Sequence, residues 1–311
     1  MKSKNLLLRL LSFALIIVVG LVLLLTVGFN KSVDLTGYHL IEVNVSENTI
    51  SEAKTKIDNV LENKEIKIHS HRVEENDYGT VIVVKFTTKL SNTSVLESSI
   101  KEELVSAFDY DQTSLIEQTY VKVSGLIQPE SMLITFLGAG LAILIGLIAI
   151  TFYLALRYNF TTALMLFISV ALDVLMTLAL TLIFRLPITS HFGIAIVGTA
   201  IFSMILNILF YNKLIQNTTD EKFAKSSNIE LVKHTQSDFV NNLVLISLAC
   251  LIGVSAFAFF NLSTSISLAL GFVATLYTSQ MLIPYIWATV YTRKAKSKKV
   301  QKEEVKAEVE E

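Results

Sequence analysis

The amino-acid sequence predicts a membrane all-α six-helix bundle with an inserted α+β domain, of ferredoxin-like βαββαβ order, outside the membrane. Three observations carry this. Of 311 residues, 52% are apolar and only 17% charged, and the mean hydropathy is +0.56, a balance foreign to ordinary soluble proteins. Six apolar runs reach the roughly 20 residues needed to cross a hydrocarbon core of about 30 Å. Between the first run and the second, residues 30–130 change to the periods of amphipathic strands and helices.

The first run, 10–29, follows Lys2, Lys4 and Arg9 as a signal peptide would, but no small-residue cleavage site follows it, so residues 1–29 read as an uncleaved anchor helix. The other five runs cover about 131–156, 160–184, 189–212, 239–261 and 265–291, within a membrane region of 131–292, and a charged tail closes the chain over 293–311. Lysine and arginine in the short connections set orientation. Lys2, Lys4 and Arg9, then Arg157, Lys213, Lys222, Lys225 and Lys233 of a 213–238 connection, then Arg293 to Lys299, all fall on one side when six crossings are counted. That side is the cytoplasm, which also holds both termini.

Within 30–130, Tyr38 to Val45 alternates as a strand, and Ile50, Ala53, Ile57, Val60 and Leu61 recur at helical spacing. Ile66 to Arg72 and Thr80 to Thr88 form a hairpin around Asn76 and Gly79. A second helix carries Val95, Leu96, Ile100, Leu104 and Ala107, and Gln118 to Gly125 supplies the last strand. The order is that of the split βαβ plan, whose sheet lies under two helices. His69 and His71 alternate on a strand without metal-ligand spacing and read as surface histidines.

Polar residues in the membrane runs carry the functional argument, because an ionised carboxylate at the centre of a helix costs roughly 2.5–3.5 kcal/mol on insertion scales. Asp173 sits in the middle of its run, and Ser169, Thr177 and Thr181 share its face at steps of four. Thr199, Ser203, Asn207 and Tyr211 form a second seam on the next run, and the short turn at Leu186-Pro187 brings the two antiparallel seams together. Asp173 is either a proton or ion carrier or a neutral, hydrogen-bonded structural carboxyl. Its candidate polar partners on these seams are Ser169, Thr177, Ser203 and Asn207. Gly138, Ala142 and Gly146 present a small-residue face for close helix approach. Cys250 is a lone core thiol, a net charge of −1 argues against nucleic acid, and no constellation of an enzyme is present: His191 has no nucleophile beside it.

Local motifs then resemble the SecF subunits of the SecD/SecF protein-export family, of the resistance-nodulation-division superfamily. Asp34-Leu35-Thr36-Gly37-Tyr38 is similar to the Asp-Phe-x-Gly-Gly segment that opens the family's outside domain. Arg157-Tyr158 resembles the Arg-Phe that ends the second helix, Leu172-Asp173-Val174 its His-Asp-Val, and Ala274 to Ser279, with Thr275 and then Pro284, its Gly-Thr-Tyr-Ser-Ser and later proline. The likeness covers about 1–292. In the fourth helix the family's Asn-Asp pair is missing, since Ile205-Leu206 stand there, and Lys213 replaces an arginine motif.

The resemblance implies a SecD-like partner subunit, the SecYEG translocon and an unfolded exported polypeptide as partners. It implies no cofactor, with the proton gradient as energy source, Asp173 as proton relay, and Asn207 and Lys213 as the weaker candidates for its polar partners. Two other readings stay open: a scaffold subunit without its own proton coupling, and a small-molecule exporter of the same superfamily.

Overall fold

The computed structural model describes residues 3–45, 49–62, 64, 66–76, 79–88, 93–108, 121–129, 131–223, 226–259 and 261–291. They form two compact units: residues 29–137 with 187–192, and residues 1–28, 138–186 and those from 193 onward.

The first unit holds strands β1 (Tyr38–Val45), β2 (Lys67–Asn76), β3 (Gly79–Thr87) and β4 (Val121–Ile127), with helices α2 (Ile50–Glu62) and α3 (Thr93–Ala107) after β1 and β3. Among the described residues the strands make one antiparallel sheet in the order β2-β3-β1-β4. Alternation puts Ile41, Val43, Ile82, Val84 and Phe86 on one face, where the buried stripes of α2 (Ala53, Ile57, Leu61) and α3 (Leu96, Ile100, Leu104) close the core. Two expectations shift. Val95 is 62% exposed, because it lies about 100° off the stripe of Leu96, while Val105 is buried in its stead. β2 runs four residues beyond the expected Arg72, paired with β3 as far as Asn76 and Gly79. Asp77 and Tyr78 of the hairpin turn and the expected strand start at 118–120 lie outside the described residues. Residues 187–192 join this unit through backbone bonds from Ser32 N to Ile188 O (2.9 Å) and from Ile188 N to Asn30 O (2.7 Å).

The second unit is helical: α1 (Ser3–Thr26), α4 (Met132–Arg157) from Gly138 on, α5 (Phe160–Ile183), α6 (Phe192–Thr219) from Gly193 on, α7 (Asn228–Ala258), α8 (Leu262–Tyr277) and α9 (Ile283–Val290), the last two joined by a π-helical turn, Thr278–Leu282. Among the described residues, six spans are long and apolar enough to cross a membrane, α8 to α9 counting as one. α7 begins eleven residues before the expected 239. At 31 residues it is about 46 Å long, well over the hydrocarbon thickness, so its polar first turns extend past the membrane core. Its start is a capping box: Ser227 Oγ accepts the Glu230 N–H (3.3 Å) and Glu230 Oε2 accepts the Ser227 N–H (2.9 Å). α6 likewise continues past Asn212 to Thr219, so Lys213 and Lys233 lie on helices rather than in a loop.

The small-residue face of α4 does not serve the close approach expected of it within this chain. A Cβ added at Gly138 would meet nothing within 4 Å, and one at Gly146 only the tip of Met204 at 3.9 Å. The tight contacts lie elsewhere. A Cβ on Gly20 would come within 2.5 Å of Ala179 Cβ, where α1 lies on α5, and one on Gly271 within 1.9 Å of Thr199 Oγ1, where α8 crosses α6. Replacing Gly20 by valine is therefore expected to cost about 1–3 kcal/mol by overpacking and to lower the unfolding temperature in detergent, whereas Gly138→Val changes it little. Differential scanning fluorimetry of the two variants checks this.

Candidate functional site

Asp173 lies at the centre of α5 and is fully buried. Asn159 caps that helix by accepting the Thr162 N–H (2.8 Å), and the steps of four from Ser169 then aim one face at α6 and the end of α8. Each carboxylate oxygen is met by a hydroxyl from a different helix: Ser203 of α6 donates to Oδ2, and Thr278, first residue of the π turn, donates to Oδ1. Asn207, one turn after Ser203, points its amide nitrogen among Ser279 Oγ (2.8 Å), Ser169 Oγ (3.1 Å) and Ser203 Oγ (3.2 Å). Ser169 and Ser279 lie 3.3 Å apart and close the ring of polar atoms.

Of the predicted residues, Asp173, Ser169, Ser203 and Asn207 are thus brought together. Thr177 is not a partner of the carboxyl. Its hydroxyl returns to the Asp173 backbone carbonyl (2.7 Å), the usual use of threonine in a membrane helix, and Thr181 does the same to Thr177 (2.8 Å). Lys213 is not a partner either: six residues past Asn207 it has turned about 240° around α6 and is exposed. Thr275 is buried one turn before Thr278, with a hydroxyl that has no hydrogen-bond partner among the described residues. Arg157, at the exposed end of α4, reaches back to the Tyr153 hydroxyl and stacks on Tyr158 at 5.3 Å.

Thr278 and Ser279 are the partners that the pairing of two seams missed. The signal was present as a Thr-Ser-Gln run inside the sixth apolar stretch, where polar residues are costly. The turn that holds them has a readable cause in part. Pro284 has no N–H to return to the Gln280 carbonyl four residues back, and the Ile283 N–H bonds instead to Thr278 O, five back. The freed Gln280 carbonyl accepts from Gln236 Nε2 of α7.

The opening motif sits in the first unit. Asp34 Oδ1 accepts from Lys85 Nζ (2.8 Å), and that ammonium also lies 4.4 Å from the Tyr38 ring centre. Burial works against the Lys85 charge, but the hydrogen bond and charge of Asp34 outweigh it and hold the lysine pKa above its ordinary value. Thr36 closes the turn onto the Ser32 and Val33 carbonyls (3.3 and 3.4 Å). Gly37 then takes φ +87°, where an added Cβ would press the Ile127 carbonyl at 3.2 Å. His71 pairs with Asp58 (2.7 Å) and His69 with the Thr87 hydroxyl (2.8 Å). Burial first, and Lys67 second, lower the His69 pKa. Among the described residues, no three His, Cys, Asp or Glu side chains cluster as metal ligands would.

The arrangement in the membrane unit can accept and release a proton at one carboxyl and pass the change to three helices through hydroxyl donors. Asn207→Leu is expected to leave the Ser169 and Ser279 hydroxyls without their amide donor and to cost about 1–3 kcal/mol, while Lys213→Ala stays within about 0.5 kcal/mol. Denaturation of both variants in detergent measures the difference.

Among curated proteins no sequence relative matches. Solved structures do resemble the chain: a SecDF in its super-membrane-facing form, with a TM-score of 0.56 and 19% identity, is covered over 38% of its length by 95% of this chain. SecDF from Thermus thermophilus, described as a translocon-associated membrane protein, matches with a TM-score of 0.53 and 20% identity, over 37% of its length and 89% of this chain. The chain thus spans little more than a third of these relatives, and the likeness establishes the fold. The model of the C-terminal region of SecD/SecF protein export membrane proteins matches residues 128–292, more than half of the chain, and the protein therefore belongs to the SecD/SecF family of protein export membrane proteins.

Proposed function

We propose that the chain is a SecF-like subunit that works beside a SecD-like subunit and the SecYEG translocon, using protons that pass through Asp173 to assist the late export of an unfolded polypeptide. The observation that carries this is the buried Asp173 carboxyl facing Ser203 and Thr278 from two other helices. As a carboxylate it accepts from both. Once protonated, its own O–H donates, and the hydroxyl facing that oxygen must redirect its hydrogen and accept instead. Loading a proton therefore re-sorts the bonds among α5, α6 and the α8–α9 span, as a proton-driven motion requires. The available energy suits this, since one charge crossing 100 mV is worth about 2.3 kcal/mol.

Three further observations support the setting. The chain matches little more than a third of the length of the SecDF relatives, whose name joins a SecD and a SecF part. Leu133, Ile134, Leu245 and Ile252, on α4 and α7, are at least 66% exposed in this chain and suit lipid or a partner's helices. The inserted domain, read as ferredoxin-like from its strand order and the helices after β1 and β3, is placed outside by the lysine and arginine distribution, with both termini in the cytoplasm. A cysteine at Lys225 is expected to escape an impermeant thiol reagent in intact cells, and its labelling would reverse the orientation.

A second reading, a scaffold without its own proton coupling, is favoured by Leu206, fully buried where the family pattern has an acidic residue. Asp173→Asn separates the two, because it keeps the shape and removes the titration. Under the proposed function Asp173→Asn inserts normally and still binds its partner, but loses the uncoupler-sensitive part of reporter export, and Asp173→Glu retains some of it. Uncoupler-sensitive export at the parent level in Asp173→Asn would assign the proton role to the partner subunit.

A further inference from the structure

The π turn at 278–282 presents Thr278 and Ser279 to the seam, and its backbone is held from two sides by residues that do not touch Asp173. A regular helix would bond the carbonyls of residues 280 and 281 to the N–H groups of residues 284 and 285. Pro284 removes the first of these donors, and Gln236 Nε2 of α7 takes its place on Gln280 O. The Tyr285 hydroxyl donates to Gln236 Oε1 (3.0 Å), so the amide has one orientation in which both ends are satisfied. On the other side Arg9 Nη1 of α1 donates to Met281 O (2.8 Å), its guanidinium lies 5.3 Å from the Tyr285 ring centre, and its own carbonyl accepts from Tyr277 (3.0 Å). Two consecutive carbonyls are thus clamped by side chains of two other helices.

We propose that Gln236 and Arg9 are positioning residues of the Asp173 site: by filling the Gln280 and Met281 carbonyls they keep the turn five residues wide and aim the Thr278 hydroxyl at the carboxyl and that of Ser279 at Asn207. The inference rests on the reading that Asp173 exchanges protons. A π turn advances its side chains by less rotation per residue than an α-helix, so adjacent residues 278 and 279 both serve one seam. If the turn closes to α geometry, the register of the following helix shifts by one residue and the pair no longer faces the seam together. Among the described residues, the charged and titratable groups packed about the turn are Asp173, Arg9, Tyr277 and Tyr285. His234 and Asp238, flanking Gln236 on α7, pair with each other at 3.1 Å.

The test uses the full chain in lipid nanodiscs and the probe dicyclohexylcarbodiimide, which adds to protonated carboxyls in apolar surroundings. Labelling of Asp173 is followed by mass spectrometry across pH, with Asp173→Asn as the blank, alongside hydrogen exchange of the 278–282 amides. In Gln236→Leu and Arg9→Leu the labelling midpoint is expected to move by about tenfold in proton concentration and exchange at 278–282 to quicken about tenfold, because the carboxyl loses a placed donor. Arg9→Lys, which keeps a donor for Met281, is expected to leave both within about twofold. A parent that titrates together with leucine variants whose midpoint is unchanged overturns the positioning role, whatever the exchange shows. A parent whose labelling does not vary with pH overturns the proton reading itself, and the positioning role with it.

Discussion

The structure of the membrane unit depends on one constraint: a carboxyl placed in hydrocarbon must find its hydrogen bonds inside the protein. Asp173 sits where no solvent reaches it, and its two oxygens can be satisfied only by side chains that other helices bring. Ser203 and Thr278 do so: Asn207 donates to Ser203 Oγ (3.2 Å), and the Thr278 hydroxyl lies beside the Ala274 and Thr275 carbonyls of its own helix (3.2 and 3.3 Å). The contact of α5, α6 and the end of α8 is therefore specified by polar bonds, in a setting where lipid offers helices no hydrophobic reason to associate. Close approach follows from the same demand. Gly271 stands against Thr199 so that α8 can come near enough to α6 for hydroxyls to reach across, and Gly20 lets α1 lie on α5.

The break between α8 and α9 is a second consequence. A continuous helix through 278–290 would use every carbonyl internally and leave Gln236 and Arg9 nothing to bind. Pro284 prevents that at Gln280, whose freed carbonyl accepts from Gln236 of α7, while Arg9 of α1 donates to the neighbouring Met281 carbonyl. The disruption ties four helices to one turn: α5 through Asp173, α6 through Asn207, α7 through Gln236 and α1 through Arg9. Thr278, which bonds the Asp173 carboxyl, is the first residue of that turn.

What was legible in the sequence follows from which signals are periodic. The sheet domain obeys burial from water, so alternation in β1 and the stripe Ile50, Ala53, Ile57, Leu61 can be read directly, and Val95 was misplaced only because one residue is a large rotation on a helix. The first three turns of α7 were missed since they carry Glu230, Lys233, His234 and Asp238 and no apolar run; the Ser227-x-x-Glu230 box was the available sign. Pairing of the α5 and α6 seams was readable because Ser169, Asp173, Ser203 and Asn207 keep steps of four. The contribution of Thr278 and Ser279 was not, because an apolar run counts residues and says nothing of a turn closing five residues wide. Lys213 enters as a candidate only through its place in the family's arginine motif, against a helical phase that turns it outward.

The absence of a cation at the seam shapes how the site can work. Among the described residues, the groups that bond the Asp173 side chain are neutral hydroxyls. In a site built on an ion pair, a proton exchanges for a lysine or arginine, and the interior keeps nearly the same net charge. Here the arrival of a proton changes the net charge of the seam by one, with Asn207 offering donors but no charge of its own. If Asp173 exchanges protons as proposed, a membrane potential acts on the occupancy of that single group. Under the proposed function the work of the cycle therefore concentrates at Ser203 and Thr278. A hydroxyl that redirects its hydrogen there alters either the contact with α6 or the one with the π turn.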